Sequence, residues 1–202
     1  MNSKRINSDD LKISKRLCYL LRHGAVSEGL HINPDGFVVL DEVLRKLPEC
    51  TIADIRRIVS TNSKQRFTII DEEDKGLQIK ANQGHSLQCV SQLSLKPLIS
   101  PNFEIIHSTY LRKWSIIKTR GLSRMKRNHI HFSKGLNFTC GLRRNAEVFI
   151  FINYSKSVEK GIQFFESENG VILSPGDEDG VIEPTYFSKV VTSDNKLLMN
   201  LD

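Results

Sequence analysis

The sequence predicts an α+β protein in two parts, and three observations carry that prediction. Helical periodicity with capping signals runs from Ser8 to Val59. Short apolar runs bounded by Gly, Pro and Asn dominate from Phe103 onward, and a polar, Pro-containing stretch from Ser91 to Pro101 separates the two patterns. The expected boundaries are 1–92 and 93–202. With 39% hydrophobic and 26% charged residues among 202, the composition is that of a globular chain rather than a disordered one. No apolar run approaches the roughly 20 residues that span a bilayer, so a membrane protein is not expected.

Each element has a local cause. Leu11, Ile13, Leu17, Cys18, Leu20 and Leu21 form a helical stripe over Ser8 to His23, with Ser8 as the expected cap, Asp9 and Asp10 in the first turn and Gly24 as the expected stop. Asn33-Pro34-Asp35-Gly36 is a turn leading into the apolar run Phe37 to Leu40. Asp41 is expected to cap a second helix that turns Val43, Leu44 and Leu47 inward and ends before Pro48. Thr51 opens a third, with Asp54 placed as the acid of a capping box and Ile52, Ile55, Ile58 and Val59 on its apolar face. A hairpin follows: Arg66 to Asp71, a turn through Asp74-Lys75-Gly76, then Leu77 to Ala81. Three helices and then a hairpin is the order of a winged helix, a helix-turn-helix variant that often binds nucleic acid, although other small α+β domains share it.

In the second part Phe103 to His107 reads as a strand, and Tyr110 to Thr119 as a helix with Leu111, Trp114 and Ile117 on one face, stopped by Gly121. Further strands are His129 to Phe132, Glu147 to Ile152, Phe164 to Glu166, Val171 to Leu173 and Val181 to Val191. The unbroken apolar run Val148 to Ile152 belongs inside a sheet, and Asn169-Gly170 is a hairpin turn. The polar run after Val191 is expected to fray.

Charge is distributed unevenly. The formal net charge is +6, yet Ile105 to Ala146 holds no Asp or Glu and ten Lys or Arg, which leaves the rest of the chain at −4. Mixed signs serve solubility equally well, whereas a surface of one sign focuses potential and attracts phosphates. The four cysteines are far apart and form no CxxC pair, and Met1 to Asp10 lacks the apolar stretch of a secretory signal. The expected setting is the reducing cytoplasm or nucleus.

Several short strings bear chemistry. Arg22-His23 at a helix end either complement the helix dipole or form an anion grip. Lys80 to Ser86 is rich in hydrogen-bonding side chains around Gly84. His107-Ser108-Thr109 and His131-Phe132-Ser133 are two copies of H-x-[ST], the pattern of two-histidine phosphoesterases that act on RNA 2′,3′-phosphates. His129 and His131 fall on one face if both lie in a strand. No acid stands near these histidines in sequence to orient a metal ligand, so no metal is expected. Arg143 and Arg144 precede the apolar strand.

Taken together, the strings resemble the RNA 2′-phosphotransferase family from about Leu17 to Tyr186. The resemblance rests on Leu21-Arg22-His23-Gly24, Asp35-Gly36-Phe37-Val38, Arg66-Phe67, Ile79 through Ser86, His107-Ser108-Thr109 with Trp114 and Gly121-Leu122, Met125 through His131, Gly141-Leu142-Arg143, Gly161-Ile162, Asn169 through Leu173 and Gly180 through Phe187. It implies an N-terminal winged-helix lobe and a C-terminal ADP-ribosyltransferase-like β lobe, with the active site between them. It implies that Arg22, His23, Lys80 and Arg143 hold the RNA 2′-phosphate, with Gln83 and His85 as further substrate contacts. NAD, as co-substrate, is implied to meet His107, Ser108, Thr109, Gly121, Leu122, His131, Ser133 and Val171, with His107, His131 and Val171 as the three-residue signature.

The implied reaction has two stages. A phosphate oxygen attacks the nicotinamide-bearing ribose and nicotinamide leaves; a ribose hydroxyl then attacks phosphorus. The products are 2′-hydroxyl RNA and ADP-ribose 1″,2″-cyclic phosphate. Neither stage needs a metal, so turnover in EDTA is expected, and the implied partner is RNA with an internal 2′-phosphate, a tRNA splice junction, acted on by a monomer.

Two positions depart from the family pattern. Lys80 stands where Arg is usual, keeping the charge without the bidentate fork; one lost charge-assisted hydrogen bond, about 1.5–3 kcal/mol, slows a step roughly ten- to a hundredfold. Ser108 stands where Gly is usual and adds a side chain where backbone is implied to approach the dinucleotide. Two other classes remain open on the residues alone: a two-histidine RNA cyclic phosphoesterase using His107 and His131, and a winged-helix nucleic-acid binder without catalysis.

Overall fold

The computed structural model describes residues 8–201, with the side chain of Ser8 outside the described set, so the expected Ser8 cap lies beyond it. The described chain is α+β and divides between Leu93 and Ser94 into two compact units.

The first unit opens with α1 (Ser8–Tyr19), which does not stop at Gly24 but widens into a π-helical turn, Leu20–Gly24, and runs on through Ala25 in right-handed conformation. Gly24 is there for space rather than for a left-handed cap: a Cβ on it would lie 2.5 Å from the Tyr19 ring. The chain then forms β1 (Val38–Val39), α2 (Leu40–Arg45), α3 (Ile52–Thr61), β2 (Phe67–Glu72) and β3 (Gly76–Ala81). Asp41 is not the cap of α2. Val39 holds that position without a side-chain hydrogen bond, and Asp41 lies in the first turn, where its charge suits the helix dipole. The capping box of α3 forms as expected: Thr51 Oγ1 accepts from Asp54 N–H at 3.2 Å, and Asp54 Oδ2 accepts from Thr51 N–H at 3.1 Å. The Thr51 hydroxyl and Arg57 hold the Asp54 carboxyl down to about 2.

The hairpin β2–β3 takes β1 as a third strand, in the order β1–β3–β2. Ile79 and Ala81 of β3 join Leu17, Leu20, Leu21, Leu40 and Ile55 in one core. Alternation sends Gln78 and Lys80 to the other face of the sheet, where both are nevertheless buried.

In the second unit the elements are β4 (Lys96–Pro97), β5 (Ile105–Thr109), α4 (Leu111–Arg120), β6 (Leu122–Ser123), β7 (Ile130–Lys134), β8 (Val148–Ile152), α5 (Tyr154–Glu159), β9 (Phe165–Glu166), β10 (Ile172–Ser174), β11 (Val181–Ile182), β12 (Phe187–Thr192) and β13 (Leu197–Asn200). Eight strands pair in the order β13–β12–β8–β5–β7–β10–β9–β4, and β6 pairs with β11 separately. The Val148 to Ile152 run is interior to the sheet, as its apolar pattern requires, and Asn169-Gly170 turns between β9 and β10.

Four expectations are corrected. The linker contains β4, which pairs with β9 and so belongs to the second unit's sheet. Val181 to Val191 is two strands, because Pro184 starts a 3₁₀ turn, Pro184–Tyr186, between them. The stretch after Val191 does not fray: Asn195 takes a left-handed conformation, Thr192 Oγ1 accepts from Lys196 N–H at 2.9 Å, and β13 pairs along β12. His129 precedes β7, so the shared strand face expected for His129 and His131 does not arise. No helix among the described residues is long and apolar enough to cross a membrane.

Candidate active site

In the first unit the π-helical turn carries Arg22 and His23. A π-turn inserts one residue into the helical register and re-aims the side chains that follow, and such turns concentrate at functional sites. The segment after β3 closes on it. Ser86 N–H donates to the Arg22 carbonyl at 2.9 Å, and Ser86 Oγ is hydrogen-bonded to His23 Nδ1 at 2.8 Å. Gly84, at φ +94°, lies against the Arg22 side chain: a Cβ there would sit 3.4 Å from its Cδ, Nε and Cζ. Arg22 is half-buried, and His23 is exposed with one ring nitrogen already held by Ser86.

Lys80 is 4% exposed, with Nζ 4.7 Å from the centroid of the Phe37 ring, a cation held on an aromatic face. His85 is buried near Gly36, and Gln83 is half-buried. Asn82 is structural: its Nδ2 donates to the Gln65 carbonyl at 2.8 Å and its Oδ1 accepts from Thr68 Oγ1 at 2.7 Å. These bonds tie the end of β3 to the start of β2 and set the departure of the 83–86 segment.

In the second unit the β5–β7 ladder holds only two pairs, Ile105–Lys134 and Ile106–Ser133, although both strands continue. Beyond them the His107 ring bridges the strands, its Nδ1 lying 2.9 Å from the His131 carbonyl. A carbonyl only accepts, so Nδ1 carries the proton and Nε2 is an acceptor. Burial drives the His107 pKa down to about 4, with the charges of Arg143 and Arg127 adding to the effect, so the ring is neutral near pH 7.

His107 packs edge-on against Phe132 at 5.9 Å. His131, next to Phe132 in β7, therefore points to the opposite face of that strand. There it shares a side with Leu173, its pairing partner in β10, and with Val171, which packs with Cys140 and Leu173. The structure thus brings His131 and Val171 to one face while His107 reaches β7 through its backbone. His107 Nδ1 is thus committed to a backbone carbonyl rather than to a second imidazole.

Other nominated residues also make contacts within the fold. Ser133 Oγ donates to the Gly135 carbonyl at 2.9 Å, and buried Thr109 passes its carbonyl to Glu147 N–H at 2.9 Å. Leu122 is a core residue paired with Ile182. Gly121 has φ +79°, and a Cβ on it would overlap the Ile182 carbonyl oxygen. Ser108 is buried and its Oγ accepts from Arg143 N–H at 2.9 Å.

The profile of the family described as RNA 2′-phosphotransferase, Tpt1/KptA family, matches residues 8–176. The chain belongs to the RNA 2′-phosphotransferase family. It is 42% identical over 193 residues to a tRNA 2′-phosphotransferase 1 of Danio rerio, covering 90% of this chain and 85% of that protein. It is 44% identical over 193 residues to the Bos taurus protein of the same name, with 90% and 75% covered. It is 39% identical over 205 residues to a tRNA 2′-phosphotransferase of Saccharomyces cerevisiae, with 92% and 85% covered. The chain is accordingly an RNA 2′-phosphotransferase.

Ser86, Tyr110, Arg127 and Asn145 were not nominated from the sequence. Ser86 and Arg127 lie inside strings that carried the resemblance, but nothing local distinguishes them. Ser86 matters because it meets His23 across 63 residues, and Arg127 because its charge reaches His107 and Arg143. Tyr110 is near both Arg112 and Arg143, its ring centroid 5.5 and 5.6 Å from their guanidinium carbons.

Proposed function

We propose that this enzyme removes an internal RNA 2′-phosphate, as left at a tRNA splice junction, and transfers it to NAD. The products are 2′-hydroxyl RNA, nicotinamide and ADP-ribose 1″,2″-cyclic phosphate. The observation that carries the phosphate grip is the joining of the Arg22-His23 turn to the 84–86 segment, which fixes a guanidinium and an imidazole on one rigid corner. Family membership supplies the substrate class.

The chain's own groups suit each task. Arg22 and Lys80 offset charge on the phosphoryl oxygens; as fixed donors they reorganise little as that charge moves. His23, with Nδ1 held by Ser86, has Nε2 to protonate the departing RNA 2′-oxygen. NAD, when bound, supplies the ribose that receives the phosphate and the nicotinamide that leaves. The second unit's residues fit such a dinucleotide: His107 Nε2 is an acceptor for a sugar hydroxyl, and the charges of Arg143 and Arg127 fall near the same ring. Arg143 and Arg127 offset the repulsion between a phosphate dianion and an anionic dinucleotide. In this proposal the first unit is a winged-helix RNA-binding lobe and the second an ADP-ribosyltransferase-like, NAD-binding lobe, in a monomeric protein of the cytoplasm or nucleus.

The test is incubation of the protein with an internally 2′-phosphorylated RNA, with and without NAD, following nicotinamide and the RNA phosphate together. One nicotinamide released per phosphate removed is expected. Phosphate loss without NAD, or nicotinamide release without phosphate loss, overturns the proposal. RNA affinity should fall by about 0.7 log units per log unit of salt for each phosphate neutralised.

A further inference from the structure

Arg143 sits on an exposed loop, where a long side chain ordinarily samples many rotamers and holding it in one costs conformational entropy. Three contacts from the end of β5 restrain it. Buried Ser108 accepts a hydrogen bond from the Arg143 backbone N–H at 2.9 Å. The Arg143 guanidinium lies 5.6 Å from the centroid of the Tyr110 ring. Two residues on, Asn145 Oδ1 accepts from the Tyr110 hydroxyl at 3.2 Å. The return into β8 is fastened as well, since Glu147 N–H donates to the Thr109 carbonyl at 2.9 Å. Four consecutive positions of the chain, 107–110, thus provide His107, two anchors for the Arg143 loop and its return.

We propose that Ser108 and Tyr110 are positioning residues for Arg143: the serine hydroxyl fixes the backbone at the arginine, and the tyrosine ring fixes the direction of its guanidinium. This rests on Arg143 acting in phosphate transfer. It also recasts the one departure from the family pattern on this strand, because Ser108 is turned toward the loop and gives it a tether that glycine lacks. Arg112 also lies by Tyr110, 5.5 Å from its centroid.

The clamp is tested by a double-mutant cycle on the full chain with internally 2′-phosphorylated RNA and saturating NAD. Ser108→Ala and Tyr110→Leu should each lower kcat about tenfold, as the loss of one such restraint predicts, with KM for NAD changed less than about threefold. In an Arg143→Ala background either substitution should change kcat less than about twofold, because the residue being positioned is gone. Wild-type kcat in Ser108→Ala, or the same fold-loss in both backgrounds, overturns the clamp and leaves Arg143 in place. Wild-type kcat in Arg143→Ala overturns the role of Arg143 itself and the clamp with it. Should Ser108→Ala not fold, Ser108→Cys keeps the volume with a weaker acceptor. Its kcat should fall between those of wild type and Tyr110→Leu, and full activity there overturns the proposal.

Discussion

The two units hold their candidate residues in opposite ways. In the first, cations lie on regular structure: Arg22 on a helical turn, Lys80 on the middle strand of a small sheet, each pressed against a neighbour that limits its motion. In the second, the candidate His107 is a neutral acceptor, and the cation Arg143 rides on a loop tied down by Ser108 and Tyr110. A fixed cation suits an anion whose position is set by the RNA. A neutral, low-pKa imidazole suits a sugar hydroxyl, which a charged ring would meet as a second donor.

The comparison can be broken at several points. The largest effect is expected from Arg22→Ala, about a thousandfold in single-turnover rate, or about 4 kcal/mol, with far-UV circular dichroism unchanged. Arg45→Ala, on the exposed end of α2, should leave the rate as it is. Equal losses would mean that bulk charge matters rather than a fixed grip.

Next in size is Gly121→Ala in the second unit, with a stability loss of about 3 kcal/mol or more in thermal or urea unfolding. Gly29→Ala in the first unit also has positive φ but nothing within 4 Å of the new Cβ, and should cost about 1 kcal/mol. Similar costs would show that close packing at Gly121 contributes nothing.

Third is pH. The folded pKa of His107, about 4, lies below its ordinary 6.5, so between these values the unfolded chain binds a proton that the folded protein excludes. This contribution is complete above pH 6.5 and is lost as pH falls toward 4, by about 2 kcal/mol after allowance for partial exposure. His129 shifts in the same direction, by burial and by Arg124. His107→Asn should flatten the fall of Tm between pH 6.5 and 4; an unchanged slope would place the dependence elsewhere. The smallest effect is expected from Lys80→Arg, a rise in kcat of about tenfold from the added fork. A fall would mean that the space over Phe37 admits only an ammonium.

Legibility followed the range of the interactions. The capping box of Thr51 and Asp54, the β2–β3 hairpin and the Asn169-Gly170 turn were readable because their causes lie within a few residues. Asp41 misled because an acid in a first helical turn looks, in sequence, like a cap one position earlier. The segment beyond Val191 misled for another reason: a polar run says nothing about a β12 edge able to pair with Leu197 to Asn200. Pro184 was visible and should have split the long Val181 to Val191 run. Among site residues, Arg22, His23, Lys80 and Arg143 stood out by charge and by their strings, whereas the core packing of Leu122 and the Ser133–Gly135 hydrogen bond were not readable there.

The sequence by itself determined the α+β class, the acid-free basic stretch and the family, since these depend on composition, short-range periodicity and ordered strings. Only tertiary structure decided that the His107 ring bonds the backbone of His131, 24 residues away, and that Ser108 tethers Arg143, 35 residues away. Such contacts depend on strand register and on where a ladder ends, and no local propensity encodes either, because a shift of one residue would turn the same side chains to the opposite face.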